Sequence, residues 1–311
     1  MAKVTFGPNG LKAAVPGPGN PNPAKRGNIV GWSAAAARRN RTFLQSVVLP
    51  DVEGAGFFFT LTVRDLPASS KEWARMVDVW LKWIVRHGCT RYHWVVEFQR
   101  RGVPHLHVVA YWPTAHVQGD LGWHDPFFGS IEHWLKLTAH LGSSPLSQQV
   151  RQCDRRVELL RYMAKHSART ADHYQRQSHA LPEGWQSVGR LWGKGGTWPT
   201  RSEVWETNDV GWFVFRRRVR WWLKREAARK LALVPPHDDA GRVAARRAIV
   251  HARTCLRCTD GKAHSRVKPL GLWIPEDVSR QLLTDALRRD ARALIRQAPQ
   301  VEEGSRVPAT Q

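Results

Sequence analysis

The chain is short of cysteine, short of acids relative to bases, and has no long apolar run. Its four cysteines are Cys89, Cys153, Cys255 and Cys258, scattered through 311 residues. So few thiols at such uneven spacing exclude a disulfide-stapled secreted scaffold and fit a reducing cytoplasm. No stretch approaches the ~18 apolar residues that cross a bilayer, so no membrane partner is expected. The opening MAKVTFGPNGLKAAVPGPGNPNPAKRGN lacks the apolar core of a signal peptide. It is rich in Gly, Pro and bases, and residues 1–29 read as a disordered arm on a cytoplasmic protein. No G-x-x-x-x-G-K-[ST] occurs, and GRLWGKGG (189–196) lacks both its spacing and its final hydroxyl. No built-in ATPase or helicase is expected, and no ATP. No internal repeat is visible.

What is abundant is positive charge. Lys and Arg number 48 against 26 acids, a net +22, and Arg outnumbers Lys 36 to 12. Guanidinium groups bind phosphate in bidentate fashion and stack on bases, so the bias favours a nucleic-acid partner. A GC-rich genome would also enrich Arg. Sixteen tryptophans accompany the cations. Aromatics interleaved with bases suit unpaired strands, although most Trp in a chain this size is core.

The pattern of elements is legible. WSAAAARRNRTFLQSVV (32–48) predicts a short basic helix. GFFFTLTVRD (56–65) is dense in aromatic and β-branched residues and predicts a strand. In SSKEWARMVDVWLKWIVRHG (69–88), Trp73, Met76, Val77, Trp80, Trp83 and Ile84 recur at helical spacing, with a serine cap and Gly88 as the stop. RYHWVVEFQ and HLHVVAYW are two strands joined by the turn RRGVP. A helix over roughly 130–141, a strand at 147–153 and a helix at 155–170 follow. The class is α+β: a central antiparallel sheet of the split βαβ type with flanking helices, plus a mostly helical, basic C-terminal region. The domains read as the 1–29 arm, a 30–200 domain built on this sheet and a 201–311 region. In the last, GWFVFRRRVRWWLKREAARK (211–230) begins strand-like and becomes a basic helix.

Three constellations could carry chemistry. His105 and His107 share one face of their strand, because side chains alternate. If RRGVP closes a hairpin, Glu97 lies near His107 at ~5 Å between Cβ atoms. Two imidazoles and a carboxylate on one face can hold a divalent cation, and Glu97 at hairpin spacing favours that over two hydrogen-bonded histidines in a hairpin. On the 155–170 helix, Tyr162, Lys165, His166 and Arg169 form one stripe. A tyrosyl oxygen beside cations can attack phosphorus; a surface tyrosine beside solvated cations is the plainer account. In HARTCLRCTDGKAH, His251, Cys255, Cys258 and His264 are four potential ligands of a structural zinc, or simply free thiols in a basic segment.

Taken together, FFFTLTVRD, EFQRRGVPHLH and YMAKH, in that order over residues 57–166, resemble the three motifs of the HUH superfamily. The resemblance is to the rolling-circle replication initiators of filamentous phages and small plasmids, and HYQ (173–175) and GRLWG agree with it. It covers roughly residues 30–200. It implies that His105, His107 and Glu97 bind Mg²⁺ or Mn²⁺. It implies that Tyr162 nicks one strand of single-stranded or supercoiled origin DNA, keeping the 5′-phosphate and freeing a 3′-OH. Lys165 would steady the phosphate, and Arg100, Arg101, His166 and Arg169 would touch DNA. A host helicase and a host polymerase would be partners. Relatives with a second tyrosine carry it four residues after the first, where this chain has His166, so one nucleophile is implied. A relaxase or single-tyrosine transposase of the same superfamily is the nearest alternative. A non-catalytic DNA-binding protein, using RRRVRWWLKREAARK, is another.

Overall fold

The computed structural model describes residues 2–14, 28–114, 126–153, 158–159, 162, 165, 182, 184–256 and 270–297. Among them are nine strands: β1 (Ala2–Gly7), β2 (Gly10–Ala14), β3 (Ala55–Thr62), β4 (Arg91–Phe98), β5 (Pro104–Trp112), β6 (Gln149–Cys153), β7 (Trp192–Gly196), β8 (Glu203–Thr207) and β9 (Leu270–Leu272). The α-helices among them are α1 (Ala34–Ser46), α2 (Ser70–Arg86), α3 (Pro126–Leu137), α4 (Asp209–Ala232), α5 (Asp239–Thr254) and α6 (Glu276–Gln297). The chain divides into two compact units.

The larger unit, residues 7–10 and 20–202, is built on a five-stranded sheet in the order β6-β3-β5-β4-β7, with every neighbouring pair antiparallel. β3 and β4 are joined by α2, and both pair with β5, so they run parallel with β5 between them. A tight turn sets this order. Gln99 N–H donates to Val103 O at 2.9 Å, Gly102 N–H donates to Gln99 O at 2.9 Å, and Gly102 has φ +82°, where a side chain would be strained. Arg101 braces the turn by donating to the carbonyls of Arg64 at 2.6 Å and Val63 at 2.9 Å.

One face of this sheet is dry. α2 starts at the Ser69 cap, whose hydroxyl accepts from Glu72 N–H at 3.1 Å, and the chain leaves it at Gly88 with φ +85°. Its buried residues Trp73, Met76, Val77, Trp80, Leu81 and Ile84 form one cluster with Phe57, Phe59, Leu61, Val96, Leu106, Val108 and Trp112 of the sheet. Tryptophan dominates the contact. Trp80 stands edge-on to Phe59 at 5.4 Å and donates from Nε1 to Ser130 O at 2.8 Å. Trp134 of α3 crosses Trp73 at 5.7 Å and donates to Thr62 O at 3.2 Å. Trp80 and Trp134 thus add apolar area without leaving their N–H groups unsatisfied.

The smaller unit, residues 1–6, 11–19 and 203–311, joins both ends of the chain. Its sheet has the order β8-β1-β2-β9. Residues 2–14 are therefore strands and not part of a disordered arm. Ala2, Val4 and Phe6 alternate with Lys3 and Thr5, which buries one side, and Pro8-Asn9-Gly10 makes the turn. Residues 15–27 lie outside the described residues. The strand-like start assigned to residues 211–215 is also corrected: it is helix. Asn208 Oδ1 accepts from Gly211 N–H at 3.0 Å and caps α4. Trp212, Phe215 and Val219 then fall at helical spacing into the core with Val4, Leu11 and Leu282. No described helix is long and apolar enough to cross a membrane.

Because Trp80 is wholly buried and bridges the sheet to α3, Trp80→Ala should cost about 3–5 kcal/mol of stability. Urea unfolding followed by circular dichroism measures it; a loss below about 1 kcal/mol would contradict this packing.

Candidate active site on the polar face of the sheet

The opposite face of the five-stranded sheet carries the polar side chains. Strand register arranges them in ranks. One rank runs Arg151–Phe58–Val109–His93–Lys194. The next runs Gln149–Thr60–His107–Val95–Trp192. The third is Thr62–His105–Glu97. Successive ranks lie about 7 Å apart along the strands.

The third rank corrects the expected register. Glu97 pairs with His105, and His107 opposes Val95, two residues from the anticipated partner. The five-residue turn Gln99–Val103 sets Phe98 opposite Pro104 and hence Glu97 opposite His105. Glu97 still reaches both imidazoles. Its Oε2 lies 3.5 Å from His107 Nε2, and a ligand atom from each of Glu97, His105 and His107 falls within 4.8 Å of the others. Glu97 has no exposed surface, while the two histidines are partly open.

This donor set fits a divalent cation. Metal–ligand bonds near ~2.1 Å limit two ligand atoms on one ion to about 4.2 Å apart, so the group could close with shifts of a few tenths of an ångström. Thr60 supports it from β3, with its Oγ1 3.1 Å from His107 Nδ1. If that hydroxyl accepts from Nδ1–H, the lone pair of Nε2 is left on the Glu97 side.

Tyr162 comes over the same face. Glu158, Leu159, Tyr162 and Lys165 have helical backbone. Leu159 is buried, and Glu158 Oε1 accepts from Arg151 at 3.1 Å, which ties this segment to β6. The Tyr162 ring packs on Phe58 at 5.2 Å, and its Oη lies 3.4 Å from His93 Nδ1. It therefore sits over the first rank, one rank from His107. Lys165 is exposed. Other tyrosines suit attack less well. Burial holds the Tyr111 phenol far above its ordinary range, with Cys153 adding to the effect. Burial also raises that of Tyr92. Tyr174 lies outside the described residues.

The remaining candidates are dispersed. Arg101 spends its guanidinium on the turn, including Gln99 Oε1 at 2.7 Å, and Arg100 is exposed beside it. His166, Arg169, Cys258 and His264 lie outside the described residues. His251 is exposed on α5, and Cys255 is a buried free thiol held protonated by its burial. His93 and Asn40 escape a search for motifs, and Thr60 lies within FFFTLTVRD without being singled out there. For Thr60 and His93 strand alternation was a usable signal, since they share the face of His107 and Glu97.

The sequence matches the ORF2-type family of replication-associated proteins over residues 56–171, a span that includes Glu97, His105, His107 and Tyr162. A putative replication protein of Xylella fastidiosa strain Temecula1 is 40% identical over 243 residues, 76% of this chain and 84% of that protein. The chain belongs to this family of replication-associated proteins. A second family relative, from Xylella fastidiosa strain 9a5c, is 38% identical over 263 residues, 81% of this chain and 84% of its own length. A replication-associated protein of Pseudomonas phage Pf3 is 35% identical over 203 residues, 63% of this chain and 69% of that protein. No solved structure matches.

Thr60→Val keeps the shape of the strand and removes the oxygen beside His107. It should weaken Mn²⁺ binding roughly 10–100-fold, read by titration calorimetry, with His107→Ala weakening it further. Unchanged affinity in Thr60→Val would show that the hydroxyl does not orient the ring.

Proposed function

We propose that this protein is a rolling-circle replication initiator of the HUH type, a metal-dependent nickase acting on one strand of a phage or plasmid origin. One observation carries the reading: the Tyr162 ring packs over the same sheet face that holds Glu97, His105 and His107, with Phe58 at 5.2 Å. Membership of the replication-associated family supports it. So does the arrangement of β5 between the parallel β3 and β4, which is what a split βαβ sheet requires.

In this reading Glu97, His105 and His107 hold Mg²⁺ or Mn²⁺, which when bound would polarise the scissile phosphate. The Tyr162 oxygen attacks phosphorus and the 3′-oxygen leaves. One phosphodiester is exchanged for another, so the bond energy is kept in the phosphotyrosine for later resealing. Lys165, one helical turn from Tyr162, would offset phosphate charge. The freed 3′-OH primes a host polymerase, and a host helicase opens the duplex in the cytoplasm. Affinity for DNA comes mainly from the surplus of 22 positive charges.

The test uses single-stranded oligonucleotides tiling the DNA on either side of the gene, incubated with the protein and Mn²⁺ or Mg²⁺. Wild-type protein should give an adduct that survives denaturation, and Tyr162→Phe should give none. His105→Ala should abolish the adduct while retaining most DNA binding. An adduct from Tyr162→Phe would remove Tyr162 as nucleophile, and uncleaved DNA with every metal would leave a binding protein only.

A further inference from the structure

Tyr162 meets a buried histidine that no motif singles out. His93 of β4 has no exposed surface, and its Nδ1 lies 3.4 Å from Tyr162 Oη. Its Nε2 lies 2.7 Å from Oδ1 of Asn40, equally buried, which α1 delivers from 53 residues away. Phe43 stacks on the imidazole at 5.7 Å and Trp192 packs at 6.1 Å, so the ring plane is fixed. With the Asn40 Oδ1 facing Nε2, a neutral imidazole has one proton arrangement. Nε2–H donates to Asn40, and the Nδ1 lone pair faces the phenol O–H. Nucleophile, base and orienting group then stand in line.

We infer that His93 is the general base that takes the proton from Tyr162, and that Asn40 is a positioning residue that fixes its tautomer. The inference rests on the reading of Tyr162 as the nucleophile. A phenol of pKa ~10 is ionised to only about one part in a thousand at pH 7, so attack needs an acceptor for its proton. In the step, the Tyr162 O–H bond breaks and its proton goes to His93 Nδ1. The Oη–P bond forms, the P–O3′ bond breaks with its electron pair on oxygen, and the 3′-alkoxide takes a proton from solvent. In resealing, the imidazolium returns its proton to the departing tyrosyl oxygen.

The surroundings suit this role. Most charged groups near His93 on this face are cationic: Lys194 in register on β7, Arg91 two residues earlier on β4, and Arg151 over Phe58 on β6, the last paired with Glu158, which precedes Tyr162 by about one helical turn. Lys165 lies one helical turn beyond Tyr162. These charges stabilise a phenolate and oppose a resting imidazolium. The orienting group is an amide and not a carboxylate, so it sets the tautomer without trapping the proton on the ring.

Adduct formation is timed in a single turnover on the tiled oligonucleotide that wild-type protein cleaves. His93→Gln should slow it about 100-fold or more, with DNA affinity and circular dichroism unchanged. In His93→Gly, added imidazole should restore part of the rate. Independently of activity, ¹⁵N chemical shifts of the full-length protein should report His93 as the Nε2–H tautomer. That signature should vanish in Asn40→Leu, which also slows the adduct, and give way to an imidazolium signature in Asn40→Asp, whose adduct rate should recover only at higher pH. An Nδ1–H tautomer in the wild type, or a His93→Gln rate within about threefold of wild type, overturns the inference while leaving Tyr162 as nucleophile. A wild type that forms no adduct on any oligonucleotide overturns both.

Discussion

A carboxylate with no exposed surface stands at the end of β4, and much of the larger unit is arranged around it. Transfer of an isolated carboxylate into a protein interior costs several kcal/mol, and the cost is met only by an opposite charge or dense hydrogen bonding. Glu97 is placed in register with one histidine and 3.5 Å from another. An apolar partner on either side would leave that charge stranded. The turn that fixes this register is correspondingly well held, with a positive-φ glycine at its tip and a guanidinium clamped to two carbonyls at its base.

Strand alternation lets such a site exist without weakening the core. β5 lies between β3 and β4, so both of its edges are hydrogen-bonded and its two faces are free to differ. Leu106, Val108, Ala110 and Trp112 enter the tryptophan-rich layer under α2 and α3, while His105 and His107 point the other way. A slip of one residue between β4 and β5 would put Glu97 and the imidazoles on opposite faces and drive one or the other into that layer. The same packing that makes the core stable therefore forbids other positions for the polar residues. Catalytic geometry gains from being carried on a central strand and not on a loop.

Much of this was legible in the residues, because period-two and helical spacing are local signals. Strands β3 to β6 of the larger sheet, the α2 face and the shared face of His105 and His107 follow from these signals; β7 does not, because its WGKGG reads as a glycine-rich loop. The error of two residues in the Glu97 pairing arose because RRGVP does not reveal whether its flanking residues belong to the turn or to the ladder. The N-terminal strands were hidden by Gly and Pro, although Ala2, Val4 and Phe6 alternate. Their partners, β8 and β9, lie some 200 and 260 residues away. GWFVF favours a strand by composition; the Asn208 cap and the burial of Trp212 and Phe215 override that preference. Asn40 is the clearest limit, since its meaning depends wholly on where α1 packs.

The charge of the chain and the chemistry of the site are distributed differently. Arg217, Lys224 and Arg225 lie on α4, with Trp221 open to solvent and Arg225 5.4 Å from its ring. Charges in such positions act through water and are screened within about 10 Å at moderate salt. Inside the polar face, Glu97, His93 and Asn40 have no exposed surface and are screened far less. The face itself is graded, with Arg151 and Lys194 in the rank beneath Tyr162 and Glu97 two ranks away. A polyanion would be gathered by the exposed field without regard to sequence. In the proposed reading, which phosphate then reacts depends on the few buried groups, whose positions are fixed by the sheet and by the packing of α1 and α2.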